Sequence, residues 1–454
     1  MIEYIYIPII LLLYLRTWKY FQLIDDFVPR GGYLLILGDK PKHPSFYDKR
    51  RPIMATVTNI GIFTATCFVI HHLWGWKAAL LYAVFPLNVS GVAWSTGNYY
   101  MSTVFLILTS YFFFFHFEVL PIIHFPLQLT QIFSIIIYVA ALGSTVSAIP
   151  FAFWLPLAFL PYTSFEYWIF FIPLLFFLFG HRFTTGLKLR KEKHRDIYIQ
   201  AGIFRWRTVF LMVKIVAYYA FLSLWPSRLG MWHDFHRIEA KKGLLGSPSR
   251  LFWLSCLMLL FLGSLGWQNN WAMTLWWLFF IGIFSQFVSF GMMIAERYTH
   301  VANVGFCVLV SYLPTELLIV VATLWFARSW IYIKTYKHNR DFFLAGANAF
   351  PDTPENYMNY ANCYLEHKNP YKAIEPLLRA DKICDGKNSG INQNLASCYY
   401  DCKDYGKARH YIEKALENCQ QTNRAKLLDW MEKLDKKLDI VQKNREVLKE
   451  KGIL

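Results

Sequence analysis

Long apolar runs, separated by short polar loops, dominate the first 335 residues of the 454-residue chain. A helix needs about 20 consecutive apolar residues to cross a bilayer, and many of these runs approach that length. The pattern predicts a first spanning helix over 5–15 and eleven further candidates. These lie at about 53–73, 76–90, 97–117, 129–142, 146–162, 165–180, 208–225, 251–267, 270–290, 300–313 and 315–333. The sequence therefore predicts an all-α, polytopic membrane domain over 1–335.

The rest of the chain is polar and has a helical periodicity with an internal repeat. One set of small and aromatic residues has the spacing that is typical of tetratricopeptide helix pairs: Tyr357, Tyr360, Ala361, Tyr364, Ala373, Leu377 and Ala380. Thirty-five residues later the last positions recur as Ala396, Tyr399, Ala408, Ile412 and Ala415. We predict a linker over 336–353, two tetratricopeptide-like repeats over 354–424, and a capping helix and tail over 425–454. Such solenoids bind proteins or peptides, and a rigid tail without a ligand is the alternative.

The charge of the chain belongs mainly to its apolar part. The protein is 56% hydrophobic with a mean hydropathy of +0.29, and its formal net charge is +16. Residues 1–340 contain 28 Lys and Arg against 13 Asp and Glu, whereas residues 341–454 contain 18 against 17. The excess bases lie in loops between apolar runs, where membrane lipid of negative charge is the expected partner. The nearly neutral tail argues against a nucleic-acid partner.

Two basic loops, 19–51 and 188–207, leave the orientation in the membrane open. The positive-inside rule places the second loop in the cytoplasm. Six predicted spans separate the two loops, so both should lie on one side. Either one candidate span does not cross the bilayer, or one of the loops lies outside and binds phosphate.

The adjacent carboxylates of Asp25 and Asp26 follow the first apolar run, in a part of the chain that has few acids. Charges near a bilayer are costly, so an acid pair there is a candidate for function. One carboxylate can act as a catalytic base while its neighbour orients it or binds a divalent metal. The alternative is that the pair caps an interfacial helix or lies in a solvated loop.

Several short motifs follow one another in order along the chain. They are Ile24-Asp25-Asp26, Ala79-Leu-Leu-Tyr-Ala-Val-Phe-Pro86 with Gly91-Val-Ala-Trp94 and Gly97, Ala295-Glu-Arg-Tyr298 with Gly305-Phe-Cys307, and Asn339-Arg-Asp341 before Pro351. This order, together with the repeats, resembles the transmembrane and tetratricopeptide-repeat O-mannosyltransferases, which are C-type membrane glycosyltransferases. The resemblance covers nearly the whole chain and indicates a compact, divergent member.

The resemblance implies a sugar donor on polyprenyl phosphate, with mannose as one option, and a protein hydroxyl as acceptor on the non-cytoplasmic face. It implies that Asp25 or Asp26 is the general base, and a carboxylate can take the proton of a Ser or Thr hydroxyl. The leaving phosphate needs a nearby cation. The candidates for donor phosphate binding are Arg297, Arg30, Arg205 and Arg207, with Glu296 and Tyr298 in support. The alternative for Glu296 and Arg297 is an internal salt bridge that joins two spans.

The chain departs from this family at several polar positions. The family has His at the positions of Phe85 and Asn88, and Glu at that of Ser90. It has Arg at the position of Asn98 and an acid at that of Tyr100. The Ser-Lys-Glu of the family corresponds to Ser144-Thr145-Val146 in this chain. The departures indicate a different sugar or acceptor, or a scaffold that has lost catalysis.

Other clusters carry less information. His71-His72 ends a predicted span and is expected to anchor it at the membrane interface. Trp232-His233-Asp234-Phe235-His236 has ligands for a metal or a sugar but lacks a fourth metal ligand. The sequence has no nucleotide fingerprint, which fits a lipid-linked donor. No metal site is predicted apart from the optional divalent ion at Asp25 and Asp26.

Two other functions fit the same pattern. One is a non-catalytic membrane scaffold, a subunit of a larger assembly that docks a partner through the repeats. The other is an oligosaccharide ligase or polymerase, whose donor carries a glycan on pyrophosphate. In each case the chain is expected to be a multi-pass integral membrane protein, and a bacterial inner membrane is favoured over the endoplasmic reticulum.

Overall fold

The computed structural model describes residues 2–20, 53–94, 98–115, 129–159, 165–184, 206–230, 233, 250–287, 294–419 and 421–450. Every regular element in these ranges is helical, and none of them contains a strand. This confirms the predicted all-α class. The chain divides into two compact units, one of Met1–Leu229 with Phe235–His338 and one of Gly230–Asp234 with Asn339–Leu454.

The described helices of the first unit follow the apolar runs of the sequence. They are α1 (Tyr6–Tyr14), α2 (Ile53–Trp74), α3 (Trp76–Val84), α4 (Val89–Ala93), α5 (Asn98–Phe115), α6 (Leu129–Ser144), α7 (Ile149–Ala158), α8 (Phe171–Thr184), α9 (Trp206–Leu224), α10 (Arg250–Asn269), α11 (Trp271–Gly282), α12 (Ala302–Val310) and α13 (Thr315–Tyr332).

The predicted span at 76–90 is broken in the structure. α3 ends at Val84, and Pro86–Ala93 continues as a second helical stretch bent by 60° from the first. Phe85 adopts an extended backbone with ψ of 122°. A residue before proline is driven out of the helical region by the proline ring, which explains the break at Phe85.

Two described helices have the length and composition of a membrane span. They are Ile53–Trp74 and Thr315–Lys337, which adds a short 3₁₀ turn to α13. The bent pair of α3 and Pro86–Ala93 would be a third if it crosses as one broken span. Several other described helices are apolar but shorter, among them α5, α6 and α11. Membrane association is therefore supported by two helices, and by three with the bent pair.

Aromatic side chains and small residues pack the first unit. The rings of Trp154 and Trp276 are fully buried and meet at 4.7 Å in a T-shaped contact, and Trp154 Nε1 donates to the carbonyl of Ala272 at 2.7 Å. Between α5 and α6, the hydroxyls of Ser110 and Ser134 each donate to the other residue's carbonyl, at 2.9 and 2.6 Å. Small hydroxyl residues let apolar helices approach and bond to each other.

The second unit contains six described helices. They are α14 (Asn339–Ala349), α15 (Pro354–Glu366), α16 (Pro370–Ile383), α17 (Ser389–Asp401), α18 (Tyr405–Glu417) and α19 (Gln421–Glu450). α14 lies inside the stretch predicted as a linker. The residues that form the buried core include the repeated positions Ala361, Ala373, Leu377, Ala380, Ala396, Ala408 and Ile412. The alanines among them allow close contact between neighbouring helices, and Leu377 and Ile412 fill the space between them.

The turns of the second unit repeat along with its helices. Asn369 accepts a hydrogen bond from the N–H of Lys372 and so caps α16, and Asp404 caps α18 in the same way through Lys407 N. Lys368 and Lys403, 35 residues apart, both have left-handed backbones, with φ of 54° and 63°. The left-handed residue ends one helix, and the side chain of the next residue caps the start of the following helix. The two helices are thereby joined within four residues.

Candidate functional site

Three of the predicted site residues are described in full, and they lie together on one turn. Glu296, Arg297 and Tyr298 form the first three positions of a 3₁₀ turn that ends at Thr299. Arg207 is in the first turn of α9, but its side chain lies outside the described residues. The other predicted residues also lie outside the described ranges: Asp25, Asp26, Arg30 and Arg205.

The carboxylate of Glu296 is almost completely buried and hydrogen-bonded. Only 3% of Glu296 is exposed, and its Oε2 accepts a hydrogen bond of 2.8 Å from the hydroxyl of Tyr332. The hydroxyl of Tyr336 in turn donates to that of Tyr332 at 3.2 Å. The Thr299 hydroxyl donates to the carbonyl of Glu296 at 2.7 Å and fixes the turn. A buried carboxylate needs such donors, because its desolvation is otherwise expensive.

The guanidinium of Arg297 lies next to two aromatic rings. Its central carbon is 5.8 Å from the ring centroid of Trp94 and 5.6 Å from that of Tyr298. Arg297 is half-buried. The faces of aromatic rings attract a cation, so they help to place the guanidinium. A guanidinium has five N–H donors and matches the oxygens of a phosphate, which makes Arg297 suited to an anionic ligand.

Tyr298 supports this turn through packing. Its ring stacks on that of Phe284 at 4.4 Å, with an angle of 3° between the planes. The two rings and Ala295 form a small buried cluster against Val146 and Ile283. Tyr298 therefore holds the turn that carries Glu296 and Arg297 in place.

The helical stretch Pro86–Ala93, which follows the break at Phe85 and is called the broken stretch below, is bound by polar side chains. These belong to α12 and to the residues just before α12. Asn303 Nδ2 donates to Asn88 Oδ1 at 2.8 Å, and Asn88 Nδ2 donates to the carbonyl of Tyr82, also at 2.8 Å. Ser90 Oγ lies 3.2 Å from Nε2 of His300. Asn88 and Ser90 are two positions at which the chain departs from the family pattern. Each is paired with a residue from the stretch that follows Arg297.

Asn59 of α2 holds the other side of the same stretch. Its Nδ2 donates to the carbonyls of Val92 and Trp94, at 3.2 and 2.9 Å. Gly91 lies between these contacts, and a Cβ there would collide with Cε of Met101 and lie 2.9 Å from Nε2 of His300. The broken stretch is therefore fixed from two sides, and a glycine is required where the chain passes the imidazole.

Sequence reasoning missed Asn59, His300 and Asn303. All three are buried, with exposures of 0, 1 and 0%. A signal was present: Asn59 is an amide within a 22-residue apolar helix, and the other two follow the Ala295–Tyr298 motif at a spacing of three. Polar groups within apolar helices usually face a partner or a cavity.

The remaining departures and weaker clusters have packing roles where they are described. Thr145 Oγ1 lies 3.0 Å from Thr103 Oγ1 and accepts from the N–H of Ser147. The ring of Tyr100 meets His300 at 6.0 Å, and the side chain of Asn98 is outside the description.

The predicted histidine clusters contact aromatic rings. His71 contacts Tyr4 and Tyr6, with ring centroids 5.0 and 5.7 Å apart. His233 is the only described residue of 232–236, and its ring meets Phe350 at 4.2 Å. The part of the chain that the structure describes contains no group of three His, Cys, Asp or Glu able to hold a metal.

An apolar cavity of about 480 Å³ lies in the first unit, beside α10 and α11. The residues around it include Leu259, Leu262, Trp267, Thr274, Trp277 and Leu309. None of the residues that line it carries a charge. The cavity is therefore suited to a hydrocarbon chain.

Comparison with protein-family models, with curated proteins and with solved structures gave no match. Function is therefore inferred from the residues of this chain and their geometry.

Proposed function

We propose that the chain is a multi-pass membrane glycosyltransferase, which moves a sugar from a polyprenyl-phosphate donor to a protein hydroxyl on the non-cytoplasmic face. The observation that carries this proposal is the position of Arg297, half-buried beside Glu296 and against the rings of Trp94 and Tyr298. The N–H donors of a guanidinium match the oxygens of a phosphate, so this position in an apolar helical unit suits a lipid-linked phosphate.

The proposed reaction forms one bond and breaks one. The acceptor oxygen bonds to the anomeric carbon of the sugar, and the bond from that carbon to the phosphate oxygen breaks. Asp25 or Asp26 takes the proton of the acceptor hydroxyl. Arg297 stabilises the charge of the leaving phosphate, and the sequence offers Arg30, Arg205 and Arg207 as further ligands.

Features of the first unit support a lipid environment and a lipid substrate. Many large apolar side chains are exposed on its helices, among them Phe176 at 76%, Trp267 at 85% and Leu260 at 69%. Soluble proteins rarely expose apolar surface of this extent. The apolar cavity beside α10 and α11 can accept part of a hydrocarbon chain. We place the protein in a bacterial inner membrane, with a C-type membrane domain and a short tetratricopeptide solenoid.

The test is the affinity for the donor, measured with the full chain in lipid nanodiscs and polyprenyl-phosphate mannose as the probe. Arg297→Gln should weaken binding by roughly 10- to 100-fold, since a charge-assisted hydrogen bond contributes about 1.5–3 kcal/mol. Arg297→Lys should lose less, because it keeps the charge. Arg340→Gln, in the exposed ion pair with Asp341, is the matched control. Equal affinity of native protein and Arg297→Gln would remove the observation on which the proposal rests.

The second candidate is a non-catalytic scaffold subunit. The pairing of Asn88 with Asn303 and of Ser90 with His300 favours it, because these side chains bind each other where the family has a site. The helix pairs of the second unit would then dock a partner. Mutations in the repeats would disturb function in that case, whereas Asp25→Asn and Asp26→Asn would change no glycan.

A further inference from the structure

Asn59 lies within an apolar helix, yet it donates its hydrogen bonds to another part of the chain. It is fully buried in α2, whose 22 residues include no Asp, Glu, Lys or Arg. The hydroxyls of Thr64 and Thr66 on the same helix bond to carbonyls one turn earlier in α2. By contrast, both hydrogens of the Asn59 amide bond to distant acceptors, the carbonyls of Val92 and Trp94, at 3.2 and 2.9 Å. Asn59 therefore connects α2 to the end of the broken stretch.

The two accepting carbonyls lie where α4 ends. The last residue of this helix is Ala93, and Trp94 leaves it with an extended backbone, with φ of −103° and ψ of 133°. The last carbonyls of a helix have no partner within the helix itself, so they need donors from elsewhere. Asn59 provides such donors to Val92 and Trp94. It therefore fixes both the last turn of α4 and the direction of the chain at Trp94.

The indole of Trp94 lies beside the guanidinium of Arg297. Trp94 is 6% exposed, and its ring centroid is 5.8 Å from the central carbon of that guanidinium. The second ring near this carbon is that of Tyr298, at 5.6 Å. Tyr298 follows Arg297 directly on the same turn, so it moves with the arginine. Of the two rings, Trp94 is therefore the one that holds the cation against a different part of the unit.

The other hydrogen bonds of the broken stretch are made nearer to its start. Asn88 pairs with Asn303 at 2.8 Å, and Ser90 pairs with His300 at 3.2 Å. These bonds fix the first five residues of the stretch to the segment that follows Arg297. The end of the stretch, and with it the indole of the next residue, is fixed by the amide from α2.

We propose that Asn59 is a positioning residue for Arg297, and that it acts through Trp94. Its two hydrogen bonds fix the backbone at the end of α4, the backbone places the indole, and the indole places the guanidinium for an anionic ligand. That this ligand is a lipid-linked phosphate rests on the proposed function, whereas the placement of the guanidinium does not.

The first measurement is the rate at which phenylglyoxal modifies Arg297 in the full chain in nanodiscs, followed by mass spectrometry of the peptides. Asn59→Leu should raise this rate at least about twofold, because a side chain with looser surroundings opens more often. Trp94→Leu should raise it as well, although the hydrogen bonds from Asn59 go to the backbone and remain. Arg328 is the internal reference, since its guanidinium donates to two backbone carbonyls, and its rate should not change.

Two further variants separate positioning from a general loss of stability. The double variant Asn59→Leu/Trp94→Leu should react at the rate of Trp94→Leu alone, because Asn59 acts through that ring. Thr66→Val is the matched control, since it removes a buried hydroxyl whose bond stays within α2, and it should leave the rate at Arg297 unchanged. Thermal unfolding identifies the folded variants, and Asn59→Ser replaces Asn59→Leu if the latter does not fold. Native reactivity of Arg297 in the Asn59 variant, or effects that add in the double variant, would overturn the proposal.

The second measurement is the affinity for polyprenyl-phosphate mannose. Asn59→Leu should weaken it by roughly three- to tenfold, the effect of a disturbed cation–π contact, and should weaken it no further in an Arg297→Gln background. Native affinity in Asn59→Leu, or a further loss in that background, would overturn the proposal. If the native chain does not bind the donor while the reactivity of Arg297 changes as expected, the positioning holds and the proposed function fails.

Discussion

Glu296 shows how single residues shape the first unit. It was named as a supporting residue because it belongs to the Ala295–Tyr298 motif of the family resemblance, and in the structure it lies with Arg297 and Tyr298 on one turn. Its partner Tyr332 was not predicted, since a tyrosine within an apolar helix has the same pattern whether it faces lipid or a carboxylate. His300 and Asn303 were missed for a similar reason: neutral polar residues do not change the charge of a segment.

Tyr332→Phe tests the buried hydrogen bond to Glu296. The carboxylate keeps its burial but loses a donor at 2.8 Å, so the variant should be destabilised by about 1.5–3 kcal/mol. Tyr336→Phe should cost less, about 1 kcal/mol, because its hydroxyl donates to a neutral one. The measurement is the thermal unfolding temperature in nanodiscs, with the exposed Tyr4→Phe as control. Equal unfolding temperatures for Tyr332→Phe and Tyr4→Phe would contradict this account.

At the scale of elements, apolar runs predicted where helices occur, and tertiary contacts decided where they break. The run over 76–90 gives no sign of a bend except Pro86, yet the structure turns by 60° there. Side chains satisfy the freed backbone carbonyls. Ser329 Oγ, from a distant helix, donates to the carbonyl of Val84 at 2.7 Å, and Asn88 Nδ2, just after the break, donates to the carbonyl of Tyr82 at 2.8 Å. A break in an apolar helix is tolerated when such partners exist, and the distant partner, Ser329, cannot be read from the local sequence.

Gly305→Ala tests the close packing of α11 and α12. A Cβ at Gly305 would lie 2.8 Å from both the carbonyl oxygen of Met273 and Cδ1 of Trp276. The backbone carbonyl cannot move aside cheaply, so the variant should lose about 1–3 kcal/mol of stability. Gly61→Ala on α2 is the matched control, with no atom within 4 Å, and should gain up to about 1 kcal/mol. Thermal unfolding in nanodiscs distinguishes them, and a Gly305→Ala as stable as Gly61→Ala would refute the packing.

At the scale of the whole molecule, the two units have surfaces suited to different solvents. The first exposes large apolar side chains on its helices, whereas the second carries exposed ion pairs at a spacing of four residues, such as Arg379–Glu375 and Lys433–Asp429. This difference was predictable from composition, which changes near residue 334. The candidate site was predictable only in part, because Asn59, His300 and Asn303 meet the stretch after Phe85 through tertiary contacts that leave no mark in the local sequence. The roles of Asp25, Asp26, Arg30, Arg205 and Arg207 stay predictions.

The most direct test of the transferase proposal is sugar transfer by the full chain in nanodiscs. The assay supplies a panel of labelled polyprenyl-phosphate hexoses, including mannose, and a Ser/Thr-rich peptide as acceptor. We predict transfer by the native chain, a loss of at least about 100-fold on Asp25→Asn or Asp26→Asn, and no loss on the exposed control Glu3→Gln. Transfer at the native rate by both aspartate variants, or no transfer of any hexose by the native chain, would contradict the account.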